Sequence, residues 1–228
     1  MTFSQHVRYA AFGGQRSVAE ASRLFMRAPN NLRPRTKPAE ERRDELMNAA
    51  QRLFIKNGVA ATSIEQITDG ANVAKGTFYL HFSSKDDVLF ALRERFVREL
   101  LDGIKSAIAK RREEDWKGKL AAWAEAGIAG YVDAAALHDI VFYEFQAPSP
   151  KKHGDNPVVA HLSALLAAGT SAGAWSVDDP RFTADFLFHG LHGVVHDALA
   201  RKKRVARSAL IRKLQQTCFR AVGLRAAK

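Results

Sequence analysis

A single cysteine, Cys218, stands among 228 residues. No intrachain disulfide can form and no thiolate cluster can hold zinc, which excludes disulfide-stapled scaffolds and cysteine-based zinc modules. Long apolar runs are missing as well. None reaches the roughly 18–20 residues needed to cross a bilayer, and the N-terminus lacks the apolar stretch of a signal peptide. A cytoplasmic protein with no membrane partner is the expectation. Also missing are a phosphate-cradling glycine loop, a nucleophile beside a base, and paired catalytic carboxylates. The sequence therefore offers no catalytic residue, requires no cofactor and reads as that of a non-enzyme. Internal repeats and low-complexity tracts are absent too.

What is present suffices for a folded protein: 46% of residues are hydrophobic and 26% charged. That balance fits a small and a larger packed unit in one chain and argues against wholesale disorder. Acidic residues are scarce at the two ends. Net charge is +6 over residues 1–85, −4 over 86–196 and +9 over 197–228, for a total of +11. A polyanionic partner is implied, although charge alone does not separate DNA from RNA or an acidic surface.

Every periodic segment reads as helix. Residues 1–38 show no sustained apolar period and end in the proline- and arginine-bearing stretch from Asn30 to Pro38, so they read as a flexible basic arm, with a short helix around Ser17–Met26 and an alternative start at Met26 left open. In residues 39–57, Leu46, Ala50, Leu53 and Phe54 make an amphipathic stripe that stops at Asn57-Gly58. Thr62 and Glu65 stand in capping-box relation before a short helix whose Ile64 and Ile67 face inward and which stops near Gly70. Asn72 occupies a turn that needs a left-handed backbone, and Ala74–Leu80 form a third short helix. Ser83 or Ser84 caps a fourth, long one. Further helices are expected at roughly 84–111, 115–135, 136–146, 157–172, 179–201 and 206–222. Pro148, Pro150 and Gly154 mark a long loop, and Asp179 with Pro180 forms an N-cap and N1 pair.

Two short helices joined by a tight turn suit the major groove of DNA, which admits one helix while its predecessor braces it across the backbone. Phe78 and Phe82 are the expected inward anchors, leaving Thr77, Tyr79 and His81 outward. Lys75 brings a cation, and Gly76 allows close backbone approach. The segments Arg43-Asp44-Glu45-Leu46, Ala49 to Gly58, Ala61 to Ile67 and Val73 to Leu89, in that order, resemble the DNA-binding region of the TetR (tetracycline-repressor) family over about residues 40–95. The resemblance implies an all-α protein: a three-helix helix-turn-helix head at 39–86 and a helical effector-binding and dimerisation body at 87–228. It further implies that Thr62, Lys75, Gly76, Thr77, Tyr79, His81 and Lys85 face double-stranded DNA at a palindromic operator. The implied activity is ligand-responsive repression by a homodimer. Where the family often has glycine and serine, this chain has Asn72 and Ala74, which weakens the turn and the cap of the third helix.

The body supplies aromatic material for a small-molecule effector pocket: Trp116, Trp123, Tyr131, Phe142, Tyr143 and Phe145, together with His189. Most of these rings must be ordinary core. His189, His192 and His196 share one helix face at a spacing that could place imidazoles on a metal, the alternative being a helical metal-dependent enzyme. Gly190 and Gly193 interleave with them, which favours close helix packing over metal binding. Those glycines, with Leu210, Leu214 and Phe219 of the last helix, are the expected dimer interface. A packaging protein without sequence preference would explain the charge but not the ordered motif.

Overall fold

The computed structural model describes residues 38–144, 156–201 and 206–224, and among the described residues the regular structure is helical throughout. The possible helix at Ser17–Met26, the Pro148–Gly154 loop and Phe145 lie outside the described residues.

The first three helices build the head. α1 runs Ala39–Asn57, α2 Ile64–Gly70 and α3 Lys75–Tyr79. α1 buries Leu46, Met47, Ala50 and Phe54, the stripe expected from its 3.6-residue period. It ends at Gly58, where φ is +81°, the left-handed conformation that glycine adopts without cost. The cap of α2 differs from the sequence expectation. Ser63, not Thr62, is the N-cap: its hydroxyl accepts from Gln66 N at 3.1 Å, and Gln66 Oε1 accepts from Ser63 N at 2.9 Å. Ser63 has the extended backbone a cap requires (φ −92°, ψ 160°). Thr62 is instead buried and donates back to Gly58 O at 2.8 Å. Asn72 takes φ +54° in the turn that follows α2, as expected.

α4 spans Lys85–Ala109, with Ser84 as its N-cap and Asp86 and Asp87 at its positive end. This helix serves two cores. Its first half carries Val88, Leu89, Leu92 and Phe96 into a cluster with Phe54, Ile67, Phe78 and Phe82, while Ile104 near its far end belongs to a second cluster. Val97 and Leu100 pack against both. The body continues with α5 (Trp116–Asp133), α6 (Ala135–Asp139), one turn of π-helix (Ile140–Glu144), α7 (Pro157–Ser171), α8 (Pro180–Ala200) and α9 (Arg207–Ala221). The stretch expected as a plain helix from 136 to 146 thus widens into π geometry after Asp139. Leu137, Ile140 and Val141 from this stretch join the head's core rather than the body's.

The body core gathers Leu120, Trp123, Ile128, Leu162, Leu166, Leu187, Leu191, Val195, Leu214 and Cys218. Cys218 is fully buried, and desolvation pushes its thiol up to about 12, so it packs as a small hydrophobe. Trp175 folds back onto α7 and donates to Leu166 O at 2.8 Å. Gly169 makes this possible, since a Cβ there would stand 2.1 Å from Trp175 Cζ2. Asp179 caps α8 by accepting from Phe182 N at 2.9 Å, with Pro180 opening the helix.

Candidate nucleic-acid interface

α3 is five residues long and only Phe78 within it is buried. A helix this short does not persist alone. It is held by Phe78, which lies edge-on to Tyr79 with centroids 5.5 Å apart and tilted against Phe82 at 5.8 Å. No side chain caps it, because Ala74 occupies the N-cap. The preceding turn is closed by backbone bonds from Asn72 N to Asp69 O and from Val73 N to Thr68 O, both 3.0 Å. The outward surface follows: Lys75, Gly76 and Tyr79 are exposed and Thr77 and His81 half-buried. Leu80, which sequence reasoning passed over, is 81% exposed at the C-cap. No apolar period could single it out, because its exposure follows only from the end of α3 there.

Three of the residues named from the resemblance are tied up by intramolecular bonds. Thr62 turns its hydroxyl inward, so its side chain is not on the surface. Lys85 Nζ donates to Val59 O at 2.8 Å and to Thr62 O at 2.7 Å, clamping the α1–α2 loop to the start of α4. Lys75 pairs with Glu65, whose carboxyl is held below its usual range first by the hydrogen bond from Lys75. Both side chains are more than half exposed, and such a pair rearranges readily when a phosphate competes for the cation. Behind the surface, Arg95 ties α4 to α1 through Asn48 Oδ1 at 2.8 Å and Gln51 Oε1 at 2.7 Å. Arg43 lies over the Phe82 ring at 5.1 Å.

The residues named for an effector pocket are not brought together as one group. Trp123 is buried in the body core, and its Nε1 has no hydrogen-bond partner among the described residues. Trp116 packs edge-on to Trp175 at 6.2 Å. Tyr131, Phe142 and Tyr143 gather instead around His138, a buried histidine of α6 that sequence reasoning did not single out. His189 is exposed. The three histidines of α8 do not converge either. His196 Nδ1 lies 3.1 Å from Tyr131 Oη, and His192 Nε2 meets His138 Nε2 at 2.8 Å. Among the described residues, no group of three or more His, Cys, Asp or Glu could hold a metal ion.

The residues named for dimerisation divide in two. Leu214 is buried, and Leu210 and Phe219 pack against their own body core. Gly190 and Gly193 are exposed, with nothing among the described residues within 4 Å of where a Cβ would stand. On the same face of α8, Phe182 and Phe186 are 68% and 64% exposed and form an apolar stripe. No described helix is long and apolar enough to cross a membrane.

Residues 46–92, the head and the start of α4, match the family model of bacterial regulatory proteins, tetR family. Among curated relatives, the transcriptional activator FasR of Mycolicibacterium smegmatis is 36% identical over 99 residues, 43% of this chain and 44% of FasR. The chain thus spans less than half the length of that relative. The fold extends further than the sequence likeness. The fatty acid degradation regulator FadR of Bacillus halodurans superimposes with a TM-score of 0.66 at 23% identity, covering 82% of this chain and 97% of FadR. FadR of Bacillus subtilis, solved with stearoyl-CoA, gives 0.64 at 19% identity over 80% of this chain and 99% of its own. Residues 46–92 thus carry the sequence pattern of the tetR family of bacterial regulatory proteins, and the described helices as a whole share the fold of the two FadR regulators.

Proposed function

We propose that this protein is a transcriptional repressor that binds a palindromic operator as a homodimer and is released by a small-molecule effector. The observation that carries the reading is α3 itself: one buried anchor, Phe78, with Lys75, Gly76, Thr77, Tyr79, Leu80 and His81 left on or near the surface. A helix built this way invests its residues in a partner rather than in its own core. Lys75 and Lys85 supply cations for phosphates, while Tyr79 and Leu80 offer apolar surface of the kind that meets thymine methyl groups.

Two further features support the dimer and the effector. The exposed stripe of Phe182, Phe186, Gly190 and Gly193 fits a second copy of α8, since glycines allow close helix approach and two-fold pairing buries the phenylalanines on both sides. In the body, Trp123 Nε1 and His161 Nδ1 are buried and have no hydrogen-bond partner among the described residues. A buried polar atom left unpaired costs about 1–3 kcal/mol, which a bound molecule with an apolar body and a polar group would recover. That chemistry is of the same kind as the acyl ligand held by the Bacillus subtilis neighbour. The protein acts by binding and is not an enzyme; it works in the cytoplasm.

Selection of bound sequences from random duplex DNA tests the reading. A near-palindrome with half-sites about 34–36 Å apart or somewhat more is the expected product. Equal affinity for selected and random duplexes at physiological salt would count decisively against it.

A further inference from the structure

Two histidines from distant parts of the chain meet where the head's core adjoins the body's. His138 of α6 is 3% exposed and His192 of α8 is half-buried, and their Nε2 atoms lie 2.8 Å apart. His192 stacks on Tyr131 at 4.8 Å with planes 5° apart. His138 rests against Tyr131 at 4.2 Å, Phe142 at 4.7 Å and Phe96 at 5.7 Å. The pair therefore bridges two packing units. Leu137, Ile140 and Val141 around His138 belong to the head's core, whereas Leu191 and Val195 beside His192 belong to the body's.

Two imidazole nitrogens at this distance attract only if one carries a hydrogen and the other does not. Asp139 Oδ1 lies 3.4 Å from His138 Nδ1, which places a hydrogen on Nδ1 and leaves His138 Nε2 to accept from His192 Nε2–H. The other titratable or charged groups facing the pair come from every neighbouring element. They are Tyr131 of α5, His189 and His196 of α8, Tyr143 of the π turn and Arg93 of α4, the last lying 4.8 Å over Phe142. Burial holds His138 below the usual imidazole range despite Asp139. It pushes His192 down to about 4, with repulsion from His138, His196 and His189 adding to the effect. Both rings are thus neutral at pH 7 in the closed arrangement.

We propose that the His138–His192 hydrogen bond is a proton-sensitive latch tying the head's core to α8. One shared proton is compatible with the bond. When both rings are protonated, two N–H groups face each other and the contact becomes repulsive. An opened state, with its rings in water, takes protons in the ordinary imidazole range near 6.5. The latch's contribution is therefore complete above about pH 6.5 and is lost as pH falls from there toward 4. For His192 alone this raises the opening constant about tenfold at pH 5.5. That the opening alters operator binding rests on the DNA-binding reading above; the latch itself does not.

The test is hydrogen exchange over residues 135–144 of the full-chain protein between pH 8 and pH 5.5, corrected for intrinsic exchange rates. The expected result is an increase of at least about tenfold in opening, clearly smaller in His192→Gln, whose amide nitrogen replaces Nε2 as donor but takes no proton, so that only the part due to the buried His138 remains. A flat native profile, or an equal rise in the variant, overturns the latch. Should the variant not fold, the imidazole titrations of the native protein decide. Titration of His192 near 6.5, without α6 opening, overturns the proposal. Titration well below 6.5, in step with α6 opening, supports it. Binding of a selected duplex is followed in parallel. A loss of affinity at pH 5.5 that is larger in the native protein than in the variant supports the link to DNA. A normal exchange response in a protein that binds no selected duplex at any pH would uphold the latch and strike the DNA reading instead.

Discussion

Lys85→Met separates two roles that one side chain could play. The substitution keeps the length of the stem and removes only the ammonium, which bonds Val59 O and Thr62 O at 2.8 and 2.7 Å. A hydrogen bond to a charged donor contributes about 1.5–3 kcal/mol net. Because this ammonium is partly solvated, the lower end applies, and water recovers part of each bond in the variant. The expected loss is then about 2–3 kcal/mol for the two together. In a chain of this size that lowers the melting temperature by roughly 4–12 °C. Urea unfolding measures the effect directly, with a lower midpoint at unchanged slope. Of the three ammonium N–H groups, two are spent on the loop and one is left for a phosphate. If that third group contacts DNA, the dependence of log affinity on log salt falls by about one unit in the variant. If Lys85 only clamps the loop, affinity falls with the salt slope intact. A stability change under about 0.5 kcal/mol, small beside the typical worth of even one such bond, would mean that water already satisfies both carbonyls and that the clamp is idle.

Tyr79→Ala and Lys75→Ala should each weaken operator binding at unchanged urea midpoint, because both side chains are exposed; Lys75→Ala should also lower the salt slope by about 0.9. Anisotropy titrations at several salt concentrations check this, and unaltered affinity in both variants would show that α3 does not face DNA. Gly193→Leu should fold normally, since nothing among the described residues lies within 4 Å of its Cβ position, yet shift light scattering toward monomer and weaken operator binding with it. A stable dimer with full affinity would move the interface elsewhere. Gly169→Ala should destabilise the body by at least the 1–3 kcal/mol typical of overpacking, because its methyl group would collide with Trp175; circular dichroism melting gives the number.

Much of the head was legible because its signals are local. The Leu46, Ala50 and Phe54 stripe, the left-handed Asn72 and the anchors Phe78 and Phe82 all express themselves within a few residues of sequence. The capping error at Thr62 is also local: Thr62 and Ser63 are adjacent candidates with Glu65 and Gln66 three residues on, and only the backbone angles of Ser63 decide between them. The division into head at 39–86 and body at 87–228 followed the motif, yet Leu137, Ile140 and Val141 pack with the head across a sequence gap no periodicity bridges. The same holds for His138 and His192, 54 positions apart. His192 was read with His189 and His196 because they share a helix face, but a face is broad enough for one histidine to meet solvent while its neighbours meet α5 and α6. The outward stripe of Phe182 and Phe186 was not legible at all, because phenylalanine is most often an interior residue and only the neighbours actually present reveal the exposed face.

The sparse anchoring of α3 bears on how such a protein can change its target. Phe78 is the one residue of the helix buried in the head's core, while Tyr79 and Leu80 lie largely outside it. On the proposed DNA-binding reading, exchanging Thr77, Tyr79, Leu80 or His81 alters which bases are preferred while the Phe78 anchor, and with it the fold of the head, is kept. Specificity and foldability are written in different letters of the same short word, so a lineage can explore new operators through viable intermediates instead of crossing a gap of unfolded ones.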